Sequence, residues 1–449
     1  MYTLSEKAEQ TYFPEAESHK LVLGLFLLYL VAWYLQFSER HGIFLAIRFE
    51  FLLGFFLLGA SLLAVRPKLF TRSGLAPYIL VYSLAVVVQI PLSFNIAYSY
   101  EIFFQKFFKL AVIAWFIFVF IRSPRELKIF TAVLLFSFFK ITSEGFLGFL
   151  DGSMLWQNQG IMRLHGSTPL WAHPNSLGAL SISVVPFVLS LYPAVASRWA
   201  RIGLVALGAT AMVCVVFTGS RTGYLAFIGL LLFYFWDAPA VHRKGRMFIF
   251  GGILLLGMVL VVPQDYRERF YTIFTEQDKV GQSISLRKEI MEDAWQVFRA
   301  HPLGVGVGAF PLVRGEMFGR LQDTHNLYLE AATNLGIQGL VLFLLLLWQI
   351  GRVLRQTRRG FSELLSGWSA ADGGEGERQR RDLLFCQALC SGLLLFLVVH
   401  ILLGFFGHNL YEIQWWLLIG MALVLRRLLL RFEGQRQLSD STLQQGERE

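Results

Sequence analysis

Charge is scarce in this sequence. Asp, Glu, Lys and Arg make up 16% of its 449 residues, against 55% hydrophobic residues. Soluble domains carry about 25% charged residues, so an ordinary water-soluble protein is excluded. Cysteine is scarcer still. Cys214, Cys386 and Cys390 all fall in apolar runs, which excludes a legible disulfide framework or thiolate metal site, and the i, i+4 pair Cys386 and Cys390 reads as small packing residues. The first twenty residues hold Glu6, Glu9, Glu15 and Glu17 but no basic leader. Nothing there reads as a cleaved signal peptide, and the first apolar run is expected to be retained.

What the chain has in place of charge is apolar length. With 42 Phe and a mean hydropathy of +0.53, it contains about 12 runs long enough to cross roughly 30 Å of hydrocarbon as helices. They lie near 21–37, 43–65, 75–94, 103–121, 128–149, 176–195, 199–217, 222–236, 247–262, 335–351, 383–406 and 410–430. The expected fold class is therefore an all-α polytopic membrane protein. Short cytoplasmic loops retain Lys and Arg. Such loops are marked by Arg66, Lys68 and Arg72, by Arg122, Arg125 and Lys128, by Arg198 and Arg201, by Arg243, Lys244 and Arg246, and by the cluster from Arg352 to Arg381. Arg426, Arg427 and Arg431 follow the last run. All share one side if the runs alternate, which places both termini in the cytoplasm. The net charge of +9 then reflects topology and not a nucleic-acid surface.

This layout divides the chain into spans 1–9 over residues 1–262, a long outer loop over 263–334, spans 10–12 over 335–431, and a flexible cytoplasmic tail over 432–449. The segment 360–382 also reads as flexible. In the long loop, "SISLRKEIMEDAWQVFRA" sets Leu286, Ile290, Ala294, Val297 and Phe298 on one helical face behind Ser285 as N-cap. That predicts an amphipathic helix lying on the membrane or over a cavity, with Arg287 in its first turn beside backbone N–H groups that favour anions. In "HPLGVGVGAF" the glycines lack the spacing of a phosphate loop, so Gly304, Gly306 and Gly308 predict a tight turn with close backbone approach, and His301 a helix end.

The outer face also carries Arg163, Arg221 in "TGSRTG", and His325 in "DTHNLYLEAATNLG". One outer arginine is ordinarily an interfacial anchor. Several on the face of a lone His suggest instead a site for phosphate, whose oxygens match the guanidinium fork. Asp323 or Thr324 is expected to cap the following helix. Asn326 is expected to orient the imidazole or a sugar, and Glu330 to do either or to face water. Lys106 and Lys109 in span four either snorkel to the interface or attract an anionic lipid substrate. Lys140 and Glu144 in span five either pair with each other or line a cavity. No outer carboxylate cluster suggests a metal.

The order "TGSRTG", "SLRKE", "HPLGVGVGAF", "DTHNLYLEAATNLGIQGL" resembles the O-antigen ligase and polymerase superfamily of bacterial envelope glycosyltransferases. The resemblance implies a fold similar to the glycosyltransferase-C class, with the loop between spans 9 and 10 in the periplasm. It implies a glycan donor on undecaprenyl pyrophosphate and, for a ligase, a sugar hydroxyl of the lipid A core as acceptor, with transfer at the periplasmic face of the inner membrane and neither metal nor cofactor. His325, Arg221 and Arg287 match the essential His and Arg positions, and Arg163 a less uniform one. Asn326, Lys106 and Lys109 join Arg163 as expected substrate-binding residues. The alternatives within this resemblance are an O-antigen or exopolysaccharide polymerase and a protein O-glycosylating transferase. An anion transporter is the remaining alternative, and the sequence shows neither the internal repeat nor the paired broken helices that would favour it.

Overall fold

The computed structural model describes residues 17–64, 67–158, 160–237, 252, 264–268, 283–367 and 373–446. It is mostly helical. The longer elements are α1 (Glu17–Leu35), α2 (Phe49–Ala64), α3 (Ala76–Val88), α4 (Ile96–Phe120), α5 (Pro124–Leu150), α6 (Pro174–Leu191), α7 (Arg198–Phe217) and α8 (Arg221–Asp237). They continue with α9 (Ser283–Ala300), α10 (Phe310–Phe318), α11 (Leu327–Ser366), α12 (Gly373–Gly404) and α13 (Ile413–Gly446). Eight are long and apolar enough to cross a membrane by length and composition: α1, α4, α5, α6, α7, α11, α12 and α13. The chain is a multi-pass membrane protein. The expected runs at 43–65, 75–94 and 222–236 correspond to the shorter helices α2, α3 and α8, and the run at 247–262 lies outside the described residues apart from 252.

One element departs from the all-helical expectation. Leu155–Asn158 (β1) and Ile161–Leu164 (β2) pair antiparallel, with Trp156 opposite Arg163. Two helices also run further than expected. α11 reaches Ser366 and α13 reaches Gly446, because the polar stretches after the apolar runs are rich in Arg, Gln, Leu and Glu, contain no Pro, and so allow the helix to propagate.

Local chemistry fixes the ends. Ser123 and Glu126 form a capping box at the start of α5, with Pro124 at the first helical position. His19 of α1 bonds to Glu126 at 3.0 Å, Lys128 pairs with Asp382 of α12, and Arg427 of α13 donates to the carbonyl of Phe118 at the end of α4. These contacts gather basic helix ends at one end of the bundle. At the other end Arg40 grips Glu144 with two bonds of 2.9 and 2.7 Å. Lys140 adds 2.5 Å and Ser167 2.7 Å. Lys140 and Glu144 thus belong to an ion cluster that ties α5 to the hairpin connection, with Arg40 as the partner the sequence did not suggest.

The turn at 301–308 has an explicit cause. Gly336 interrupts α11 with φ 72° and ψ −177°, freeing the carbonyls before it. Thr333 O and Asn334 O accept instead from the N–H groups of Val305 and Gly306, at 2.9 and 3.0 Å. Leu335 O accepts from the side-chain amides of Gln89 and Gln338, and Pro302 O accepts from Ile337 N–H. Buried backbone groups need such partners. The approach is close enough that a Cβ on Gly306 would meet Ser93 at 2.0 Å and one on Gly336 the Leu303 carbonyl carbon at 2.3 Å. Gly336→Ala is therefore expected to destabilise the protein by about 2 kcal/mol or more, since strain of about 1–3 kcal/mol at that φ/ψ adds to the clash. Thermal unfolding in detergent, followed by size-exclusion fluorescence, reads this; an unchanged midpoint would mean the kink tolerates a side chain.

Candidate active site

The kink leaves a short leading helix, residues 327–335, at the mouth of the bundle, and His325 stands just before it. The cap is Asn326, not Asp323 or Thr324. Its side chain accepts from Tyr328 N–H and Leu329 N–H, each at 3.0 Å, and its amide donates to Phe405 O at 3.1 Å. Asn326 is thereby committed to protein partners and holds the segment in place rather than the imidazole. His325 itself has φ 50°, a left-handed conformation uncommon outside Gly, Asn and Asp, of the kind found at functional sites.

Its ring lies 5.0 Å from that of His408, edge to face at 68°, and His408 reaches Asp323 at 3.7 Å. Burial, then the charges of His408 and Arg287, lower the His325 pKa to about 4. Burial followed by Arg163, Arg287 and His408 likewise depresses His173, the N-cap of α6. Arg287 is thus close enough to bear on two imidazoles from different helices. Helix α9 begins at Ser283, two residues before the expected cap, so Arg287 lies just past its first turn. Part of the apolar face of α9 packs inside the protein. Ile290, Ala294 and Val297 are buried, the last two packing with Val305, Phe310 and Val313, whereas Leu286 is 37% exposed.

Arg163 is 1% exposed on β2. Its Nε donates to Thr218 O at 2.7 Å, Nη1 to Asn158 at 3.0 Å and Nη2 to Asn175 at 2.6 Å. It therefore fastens the hairpin to the start of α6 and to the turn that delivers Arg221 as the first residue of α8. A second buried arginine does the same for the loop module. Arg314 of α10, 0% exposed, bonds Asp293 of α9 at 2.9 Å and Gln322 at 2.9 Å, fixing the helix of Arg287 against the irregular segment that leads into His325.

Lys106 and Lys109 are on another side of His325. They flank the end of a π-helical stretch, Phe103–Phe108, within α4, whose wider turn re-aims the residues after it. Both line a cavity of about 920 Å³ together with Asp323, Glu330, His408 and Glu412. Glu330 is 5% exposed and accepts Leu410 N–H at 3.1 Å.

The site therefore brings together His325, Arg287 and Arg163, with Arg221 on the turn that Arg163 holds, and sets the two lysines apart in the cavity. Sequence reasoning missed His173, His408, Glu412, Asp293 and Arg314. Two of these carried a signal. "HNLYLE" at 325–330 is echoed by "HNLYE" at 408–412, and the structure sets the two copies face to face. The Arg314–Asp293 pair had none, because its partners are distant in sequence and neither sits in a recognisable motif. Among the described residues no three or more His, Cys, Asp or Glu side chains converge as metal ligands.

No curated protein matches the chain. The family model described as O-antigen ligase matches residues 206–344, a stretch that contains Arg221, Arg287, His325 and Glu330 and begins after Arg163. Over residues 206–344 this multi-pass membrane protein is thus similar to the O-antigen ligase family.

Proposed function

We propose that this chain is an O-antigen ligase of the bacterial inner membrane. In this reading the 263–334 loop and the turn at Arg221 face the periplasm, both termini are cytoplasmic, and a glycan passes from undecaprenyl pyrophosphate to a sugar hydroxyl of the lipid A core. The observation that carries the reading is the convergence at one helix mouth of a neutral, half-buried imidazole with arginines from separate elements, inside the segment that matches the family.

The chemistry follows from the residue types. The acceptor oxygen attacks the anomeric carbon of the donor sugar while the bond from that carbon to the pyrophosphate oxygen breaks, and the electron pair leaves with the undecaprenyl pyrophosphate. Arg287 and Arg221 stabilise the charge that develops there. His325, neutral at pH 7, takes the acceptor proton. Arg163 supports the turn of Arg221.

Lipopolysaccharide gels of a ligase-null Gram-negative host complemented with this gene test the proposal, with purified enzyme offered lipid A core or a second lipid-linked repeat. Transfer to the core is expected; extension of the lipid-linked repeat alone would make the chain a polymerase. Orientation has its own check. A cysteine introduced at Gln277 is expected to react with an impermeant maleimide in intact spheroplasts, and labelling only after lysis would reverse the topology.

A further inference from the structure

We infer that the arginine stripe of α11, at the end of the bundle away from His325, holds an anionic phospholipid of the surrounding leaflet. The lipid phosphate sits between Arg355 and Arg359, and its acyl chains lie along the apolar face that runs from Ile337 to Trp348. The site is apart from the glycan chemistry and stands whether or not the transferase reading does.

Beyond the kink at Gly336, one face of α11 changes character in the order that a leaflet does. Ile337, Val341, Leu344 and Leu345 are 41–47% exposed, and Trp348 is 55% exposed. Arg352, Arg355 and Arg359 follow, all of them exposed. With about 100° of rotation per residue, these positions share one stripe about 100° wide, so apolar surface, ring and cations face the same lipid. Trp belongs at the boundary of the hydrocarbon, and cations belong just past it. The guanidinium of Arg352 lies over the Trp348 ring, 5.4 Å from its centroid, which sets the depth of the first cation. Arg355 and Arg359 are one turn apart, about 6 Å between Cβ atoms, so both forks can close on one phosphate.

The neighbours leave this stripe cationic. On one side Gln349 donates to Gly74 O at 2.8 Å, which draws the turn before α3, with Lys68 and Arg72 exposed on it, against α11. On the other side Asp237, at the end of α8, is taken by Arg358 at 3.0 Å. Among the described residues no carboxylate pairs with Arg352, Arg355 or Arg359. Topology alone asks for positive charge at this end. It does not ask that the arginines continue an exposed apolar face through a Trp. Clusters of about four to eight basic residues just past a span attract anionic headgroups. The aromatic–arginine pairs at the start of α7 differ. Arg198 lies over Trp199 at 5.1 Å and Arg201 over Tyr192 at 5.7 Å, and Arg201 also donates to Val195 O at 2.7 Å, so these two are engaged within the protein.

Native mass spectrometry of the full chain, delipidated in detergent and offered phosphatidylglycerol or phosphatidylcholine with the same acyl chains, tests this. Phosphatidylglycerol is expected to bind in preference, and the double variant Arg355→Gln/Arg359→Gln to bind it at least about tenfold more weakly. Arg359→Gln alone, with an expected loss of about fivefold, serves if the double variant fails to fold. Arg198→Gln/Arg201→Gln removes the same charge from the same end and is expected to leave binding nearly unchanged. Equal loss in the two double variants would mean a diffuse positive surface and would overturn the site, as would equal binding of the two lipids. Glycerol 3-phosphate at the same concentration is expected not to displace phosphatidylglycerol; displacement would show that the anion alone is read and would overturn the role of the apolar face. Phosphatidylglycerol should also raise the unfolding midpoint of the wild type more than that of the arginine variants, and an equal rise would count against the site.

Discussion

Replacing His325 with alanine is expected to lower glycan transfer by about 10²- to 10⁴-fold, the usual worth of a positioned general base, while donor binding persists. The proposed roles separate the two properties, because the arginines assigned to the pyrophosphate lie on α8 and α9 and His325 belongs to the connection before α11. The pH dependence gives the sharper readout. Burial and nearby positive charge hold the imidazole pKa at about 4, so the base form persists as pH falls and is lost only as pH passes down through that value. The acidic limb of kcat/KM, which reports the free enzyme, should therefore lie well below the ordinary histidine range. A bound pyrophosphate adds negative charge beside the ring and favours the imidazolium, so the limb in kcat should lie higher than that in kcat/KM. Near-normal turnover of a folded His325→Ala protein would remove it from the chemistry. A limb that survives unchanged in a measurable variant would make it a positioning residue.

Periodicity made most of the membrane helices legible, because the apolar length needed to cross hydrocarbon is a property of local sequence. It did not show where those helices break. Gly336 lies between Leu335 and Ile337 in a continuous apolar run, and only the docking of Pro302–Gly306 against it explains its left-handed backbone. The capping residue illustrates the same limit. Asp323, Thr324 and Asn326 are all good N-caps, and the choice falls to Asn326 because its amide also meets Phe405 just beyond the end of α12. The candidate site residues within the matched segment were proposed from their order in the chain. His408 and Glu412 come from beyond it, so their approach to His325 depends on the packing of α11 against α12 and α13.

Arg287→Lys is expected to reduce kcat/KM by about 10²-fold or more, and Arg287→Ala by at least as much, the scale of removing one preorganised donor from a developing anion. Lysine retains the charge but not the planar fork, so it separates bidentate contact from simple attraction. The two variants differ in a second observable. Arg287 is one of the charges that depress His325 and His173; removing it in the alanine variant should raise the acidic limb of kcat/KM, whereas lysine should leave that limb near its original place. Asp293→Asn offers a control for positioning, since it disturbs α9 through Arg314 without touching the guanidinium of Arg287. It should cost activity with little change in the limb. Full activity of Arg287→Lys together with an unmoved limb in Arg287→Ala would show that this residue anchors the loop and takes no part in holding the pyrophosphate.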